Sequence, residues 1–481
     1  MIARSSLNPN LLKAEYAVRG PVVIRAQRLE AQGRKIIYCN IGNPQELKQK
    51  PLSSIRQMLA LLEYPSLMKD PRVSTLFPAD LLARAKDFLR DHPAGTGAYT
   101  QSAGIPFIRR AVAEFIRRRD GIDADADHVI LTDGASKGVQ AAILALLKEP
   151  SDGFMIPIPQ YPLYSATIAL YGGKEIGYYL DEAKHWQLNE DILVESITKA
   201  REEGINPVAI AVINPGNPTG AVLSLENIRM IIRFARENAL AILADEVYQE
   251  NVYDSSARFY SFAKVMHEMK EREVPLFSFH SVSKGFFGEC GHRGGYVEFR
   301  NIPDDVLAEL VKLQSISLCA NVPGQVATYT MVSPPQPGSE SYETYSRERA
   351  AILSALKEKA ELLGREINAI EGMRLETPQG AMYAFVKIDL PPAPDVDVRS
   401  MSPADRHAYE GKRDADYCMT LLEETGICVV PGSGFGQVPG TLHFRTTFLP
   451  PPDEIREFVQ QLGRFHERYV GRIRSHEHVQ S

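Results

Sequence analysis

Through the middle of the chain, short apolar runs alternate with amphipathic segments. HVILTDGASKGVQAAILALL (128–147) predicts a strand, a turn at Gly134 and a helix. PVAIAVINPGNPTG (207–220) predicts a strand running into a loop, IRMIIRFAREN (228–238) has helical spacing, and LAILADEVY (240–248) is again strand-like. LFSFHSVSK (276–284) and GGYVEF (294–299) add two strands. Strands alternating with helices indicate an α/β fold with a mostly parallel sheet sandwiched by helices, and such sheets bind ligands at the C-terminal ends of their strands.

The texture changes after SPPQPGSESYETYS (333–346). RERAAILSALKEKAELLGREINAI (347–370) predicts a long charged helix and MRLETPQGAMYAFVKI (373–388) a strand pair around Gly380; a further helix follows, and then GICVVPGSGFG and TLHFRTTFL. This is a smaller α+β domain. The expected division is 1–75 as an N-terminal arm and part of the small domain, 76–345 as the large domain, and 346–481 as the C-terminal small domain. The Pro-rich, polar stretch 391–411 reads as an exposed insertion.

Composition narrows the function classes. A chain of 481 residues with 44% hydrophobic and 24% charged residues is ordinary for a globular protein, and a net charge of -6 argues against a general nucleic-acid surface. No apolar run approaches the ~18 residues needed to span a bilayer, so no membrane partner is expected. Cys39, Cys290, Cys319, Cys418 and Cys428 are odd in number and scattered, which fits free thiols in a reducing compartment; with no apolar leader in the first twenty residues, the expected location is cytoplasmic, the slightly basic N-terminus leaving a short mitochondrial presequence as the alternative. Cys290 and His292 lie close together without a second ligand pair, and HEH at 476–478 lacks a zinc spacing, so no metal is expected.

Candidate chemistry sits at the strand ends. Ser136 opens a helix whose N-terminus suits a phosphate, although taken alone it reads first as an N-cap. NPGNPTG rigidifies a loop after a buried strand; a plain turn is the simpler reading. Asp245 closes an apolar run, where a carboxylate either meets a partner or faces water. Lys284 in SVSKGF would be a surface lysine by default, but Ser281 precedes it, glycines follow it and Arg293 lies nine positions on. A lysine in a partly dehydrated, cationic setting is expected to have a lowered pKa and to act as an amine nucleophile. A phosphate site, a carboxylate for a ring nitrogen and a lysine amine together meet the needs of pyridoxal 5′-phosphate.

From Glu15 to Pro450 the chain resembles the fold type I aminotransferases of class I and II, and within them the alanine aminotransferases. The carrying motifs, in order, are NIGNPQ, GAYTQSAGI, DGAS, NPGNPTG, DEVY, SVSKGFFGECGHRGG, LCANVPGQ, QGAMYAF, VVPGSGFGQ and HFRTTFLP. The resemblance implies that Lys284 carries the cofactor covalently and then serves as the general base, and that Asp245 pairs with the protonated ring nitrogen. It implies that Tyr248 and Asn217 bond the ring hydroxyl, that Tyr161 of PQYP stacks on the ring, and that Ala135, Ser136, Ser281 and Arg293 hold the phosphate. Tyr99 of GAYT resembles a tyrosine that reaches the phosphate from the partner subunit of a homodimer with shared active sites. Arg445 would clamp the substrate α-carboxylate, with Gly42 and Asn217 beside it. GSGFG (432–436) fits a small-domain turn rather than a nucleotide loop.

The activity implied is ping-pong transamination between alanine and 2-oxoglutarate. Glyoxylate as acceptor is the alternative within the subgroup. A C–S or γ-eliminating lyase of the same fold would lack so complete an alanine-type motif set. An effector-binding regulator would need an added basic domain ahead of motifs that already begin near residue 15. Which cation meets a distal carboxylate stays open between Arg19 of YAVRGP and others, Arg19 reading equally as a surface residue.

Overall fold

The computed structural model describes residues 2–392 and 400–479. In chain order its strands are β1 (Ile37–Tyr38), β2 (Val129–Thr132), β3 (Asp152–Ile158), β4 (Lys174–Tyr179), β5 (Asn206–Ile213), β6 (Ala241–Asp245), β7 (Leu276–Ser281), β8 (Gly295–Arg300), β9 (Met373–Arg374), β10 (Tyr383–Ile388), β11 (Ile427–Cys428), β12 (Val430–Pro431) and β13 (His443–Thr447). β2 to β8 form one sheet in the order β2-β8-β7-β6-β5-β3-β4. Its pairings are parallel except those of β8, which runs antiparallel to both β2 and β7.

The period of two along a strand sorts its side chains onto two covered faces. Ile210, Val212, Ile242 and Ala244 pack with the helices Glu190–Glu202 and Leu225–Glu237. Ala209, Ala211, Ile213, Leu243, Phe277 and Phe279 pack on the other face with the helices Ala135–Leu146 and Leu163–Tyr171. Asp245 and Ser281 continue the second set, so parity places both on one face at the C-terminal edge of the sheet.

The second core is built from the order β12-β13-β10-β9, an antiparallel sheet packed under the helices Tyr342–Ile367, Pro403–Thr425 and Pro452–Val479. β1 pairs in parallel with β11, which ties the N-terminal segment to this smaller unit. The helix Ser53–Glu63, by contrast, packs Ile55, Met58 and Leu62, with Leu52 just before it, into a cluster with Leu131, Phe286 and Val326 of the larger one. Among the described residues, no helix is long and apolar enough to cross a membrane.

One expectation needs correction. Of the stretch 391–411 read as an insertion, 393–399 lie outside the described residues, and from Pro403 onward the chain is helical. The signal was present in SPAD: Ser402 accepts a hydrogen bond from the Asp405 N–H at 3.1 Å, and Pro occupies the first helical turn. Pro403 thus marks a helix start within that stretch. The side chains of His476 and His478 lie outside what the structure describes.

Candidate active site

A cavity of about 650 Å³ opens between the C-terminal edge of the large sheet and the smaller unit, within the range of small-molecule sites. Lys284, Asp245, Tyr248, Ala135, Ser136, Tyr161, Asn217, Ser281, Arg293 and Gly42 all line it. Arg445 lies immediately behind its wall, and Tyr99 is elsewhere, 80% exposed on this chain's surface. The sequence therefore located ten lining positions scattered from residue 42 to residue 293.

At one end the donors converge. Gly134, at φ 78°, turns β2 into the helix Ala135–Leu146, and a Cβ there would lie 2.5 Å from Arg293 Nη2. A side chain at Gly295 would press to 3.1 Å from the Ala135 nitrogen. These two glycines let a guanidinium, a helix N-terminus and the hydroxyls of Ser136 and Ser281 share one corner. Arg293 is steadied by Ser283 Oγ at 3.2 Å and the Cys290 carbonyl at 3.0 Å. Such a donor set fits a phosphate dianion.

Asp245 sits at the far wall, 4% exposed. Tyr164, a residue to which sequence reasoning gave no role, donates its hydroxyl to Asp245 Oδ2 at 3.2 Å. Burial pushes the Asp245 carboxyl up to about 6, against the opposing pull of Tyr164, the Val247 N–H and Lys284. A buried carboxylate raised in this way is well matched to a protonated ring nitrogen. Tyr161 closes a third side, its hydroxyl 2.7 Å from that of Tyr16. The chemistry and placement of these groups fit pyridoxal 5′-phosphate.

Lys284 Nζ donates to the Gly42 carbonyl at 2.9 Å. The Gly42 N–H in turn donates to Tyr383 Oη at 3.1 Å, and a methyl group on Gly42 would overlap that hydroxyl. Arg445 is fully buried in β13, its guanidinium 4.1 Å from the centre of the Tyr383 ring and 4.6 Å from that of Phe435. It donates to Asn217 Oδ1 at 3.1 Å and to the Asn40 carbonyl, while its Nε is buried with no hydrogen-bond partner among the described residues. Phe435 belongs to GSGFG, in which Gly432–Phe435 form a short 3₁₀ helix between β12 and β13.

The expected lowering of Lys284 is overturned. Burial and Arg445 do push the amine down, but Tyr383, Cys290 and Tyr16 face it, and the net direction is upward. The neighbourhood is phenolic as well as cationic, which the linear sequence around Lys284 does not reveal. Tyr383 was contained in the motif QGAMYAF without a role. It enters the site because Phe385 pairs with Arg445, which puts Tyr383 diagonally beside the arginine on the same strand face. Near Cys290, His292 Nδ1 meets Glu289 Oε2 at 2.9 Å, Arg56 Nε meets Glu289 Oε1 at 3.0 Å, and no group of three metal-ligating side chains occurs among the described residues. The cysteines are free thiols.

Residues 75–462 match the family model described as aminotransferase class I and II, and the chain belongs to that family of pyridoxal-phosphate-dependent transaminases. It is 48% identical to a probable mitochondrial alanine aminotransferase of Dictyostelium discoideum, over 97% of this chain and 89% of that protein. It is 46% identical to glutamate–glyoxylate aminotransferase 1 of Arabidopsis thaliana, over 97% and 96% of the two chains. The solved alanine aminotransferase of Pyrococcus furiosus has the same fold type, with a TM-score of 0.76 at 27% identity and coverage of 96% and 100%.

Proposed function

We propose that the protein transfers the amino group between L-alanine and 2-oxoglutarate, giving pyruvate and L-glutamate in a ping-pong cycle. The observation that carries this reading is that Lys284 and the buried carboxylate Asp245 line one cavity with Arg293 and the N-terminus of the helix Ala135–Leu146, with the buried guanidinium of Arg445 behind its wall. The kinship with alanine aminotransferases supports the substrate pair.

Ser136, the Ala135 N–H, Ser281 and Arg293 line the cavity where they would hold the cofactor phosphate, Tyr161 would pack on its ring, and Asn217 and Tyr248 would meet the ring hydroxyl. Bound pyridoxal 5′-phosphate supplies an electron sink for the charge left at the substrate α-carbon. The chain's own residues do the rest. Arg445 takes the α-carboxylate through a guanidinium that is pre-oriented between two rings, with Asn217 and the Gly42 backbone alongside. Lys284 removes the α-proton and holds it for return. Asp245 keeps a proton on the ring nitrogen, and Tyr164 fixes the carboxylate that does so. Arg19, exposed on the cavity rim, supplies the cation for the distal carboxylate of glutamate.

Steady-state kinetics with a panel of donors and acceptors test the assignment. Alanine should exceed aspartate by about a hundredfold or more in kcat/KM, because the shorter diacid would bury its second carboxylate without a partner. An aspartate value within about threefold of alanine would remove the substrate assignment. In Arg19→Ala, KM should rise for glutamate and not for alanine. The Arabidopsis relative favours a second reading, glyoxylate as acceptor, and the same panel separates the two.

The reading includes a homodimer. Tyr99, at 80% exposure, together with exposed Tyr64, Leu76 and Ile316, supports a partner-facing surface from which Tyr99 reaches the other subunit's phosphate. Mixing Tyr99→Phe with Lys284→Ala subunits should restore activity above either parent, since each heterodimer then contains one site with both residues. Heterodimers that form without gaining activity would exclude a shared site. The free thiols support the proposed cytoplasmic location, and cell fractionation would check it.

A further inference from the structure

Tyr383 occupies a position that a packing role does not explain. Its ring fills the space beneath Arg445, which a phenylalanine would do as well, yet its hydroxyl is turned into the site. The strand that carries it is preceded by a strained residue. Ala381 has φ 59°, a conformation that side-chain-bearing residues seldom adopt, and it is clamped there by hydrogen bonds from its N–H to the Asn251 carbonyl at 3.0 Å and from Tyr253 Oη to its carbonyl at 2.8 Å. The backbone is held in this form two residues before Tyr383. The hydroxyl then lies against Gly42, on the same side as the lysine: a Cβ at Gly42 would overlap Tyr383 Oη and come within 3.3 Å of Lys284 Nζ.

We propose that Tyr383 is a catalytic residue whose phenol exchanges a proton with Lys284 Nζ and so governs when that amine is free to react. The step balances within the pair: an N–H bond of the lysine ammonium breaks, an O–H bond forms on the phenolate, and a neutral amine and neutral phenol remain, with no proton drawn from solvent. The groups that face the pair come from every element around it. Lys284 meets Tyr383, Cys290, Arg445 and Tyr16; Tyr383 meets Lys284, Arg445, Tyr248 and Cys290. Burial works against ionising Tyr383, but Lys284, Arg445 and a hydrogen bond with Tyr248 hold its phenol below the ordinary value, while Lys284 is held above its own. These shifts move the two groups apart, so the proton rests on Lys284 and the amine becomes free only when Tyr383 takes that proton back.

This inference rests on the assignment of Lys284 given above, and the test separates the two. Apoprotein is prepared from wild type, Tyr383→Phe and Lys284→Ala, and covalent capture of added pyridoxal 5′-phosphate is followed by its visible absorbance between pH 6 and 10. Removing the phenol takes away the first of the groups that hold the amine up and leaves burial and Arg445 opposed by Cys290 and Tyr16 alone, so the capture midpoint in Tyr383→Phe should fall by about one pH unit or more. Turnover should move the other way, with kcat reduced about tenfold or more and KM for alanine within about threefold of wild type. Easier capture with slower turnover is a pairing that a loss of packing would not produce. A midpoint within about 0.3 unit of wild type, or capture and turnover lost together in a folded protein, would overturn the proposal. Capture persisting in Lys284→Ala would overturn the lysine assignment and the proposal with it. Should Tyr383→Phe not fold, Tyr383→His keeps a ring beneath Arg445 and a proton-exchanging atom, and its midpoint must then differ from wild type.

Discussion

Lys284→Ala is expected to bind pyridoxal 5′-phosphate and to have no measurable turnover. The phosphate corner formed by Ser136, Ser281 and Arg293 is built without Lys284, so the anchor persists. The amine proposed to bond the cofactor and move the α-proton is gone. Losing a positioned base alone costs about 10²- to 10⁴-fold, and losing the covalent partner adds to it; a total of about 10⁴-fold or more corresponds to upward of about 5.5 kcal/mol. Borohydride reduction of the wild-type holoprotein followed by peptide mapping checks the position. A reduced cofactor found on any other lysine would contradict the assignment.

The second large effect belongs to Asp245. Asp245→Ala should lower kcat/KM by about two to three powers of ten, or about 3 to 4 kcal/mol, because the ring nitrogen loses the carboxylate that keeps it protonated. Activity near wild type would refute the role. The same residue sets a pH dependence. Its carboxyl is raised to about 6, so it loses its charge as pH falls through that value, and cofactor affinity should weaken below about pH 6 and hold steady above it. Tyr164→Phe deletes a hydrogen bond that favours the charged form and should move this midpoint upward. Titrating cofactor affinity between pH 5 and 8 measures both.

How much of this was legible in sequence follows from where each signal resides. Strand ends are local, and so are the turn at Gly134 and the lysine between its serine and glycines; Asp245 and Ser281 could be placed on one face by counting alternate residues in LAILAD and LFSFHS. Their neighbours were another matter. Tyr383 approaches Lys284 and Gly42 through the register of β10 on β13, a pairing between segments about sixty residues apart that no local pattern encodes. Tyr164 meets Asp245 across the layer between a helix and the sheet. The direction of the Lys284 pKa was misjudged for the same reason: the amine's sequence neighbours are serines and glycines, while Tyr383 and Tyr16, which help to hold it up, come from opposite ends of the chain. Pro403 misled because proline breaks a helix interior but begins a helix well, and only the Ser402 cap distinguishes the two.

The central claim is transamination of alanine in two separable halves, and a single-turnover measurement tests it most directly. Purified protein reconstituted with pyridoxal 5′-phosphate is mixed with excess L-alanine and no oxo acid, and pyruvate is followed against time. The expected result is one pyruvate per active site, then no more, until 2-oxoglutarate is added and one glutamate appears for each further pyruvate. Absence of the first pyruvate, or its continuous release together with ammonia in the absence of any oxo acid, would contradict the account.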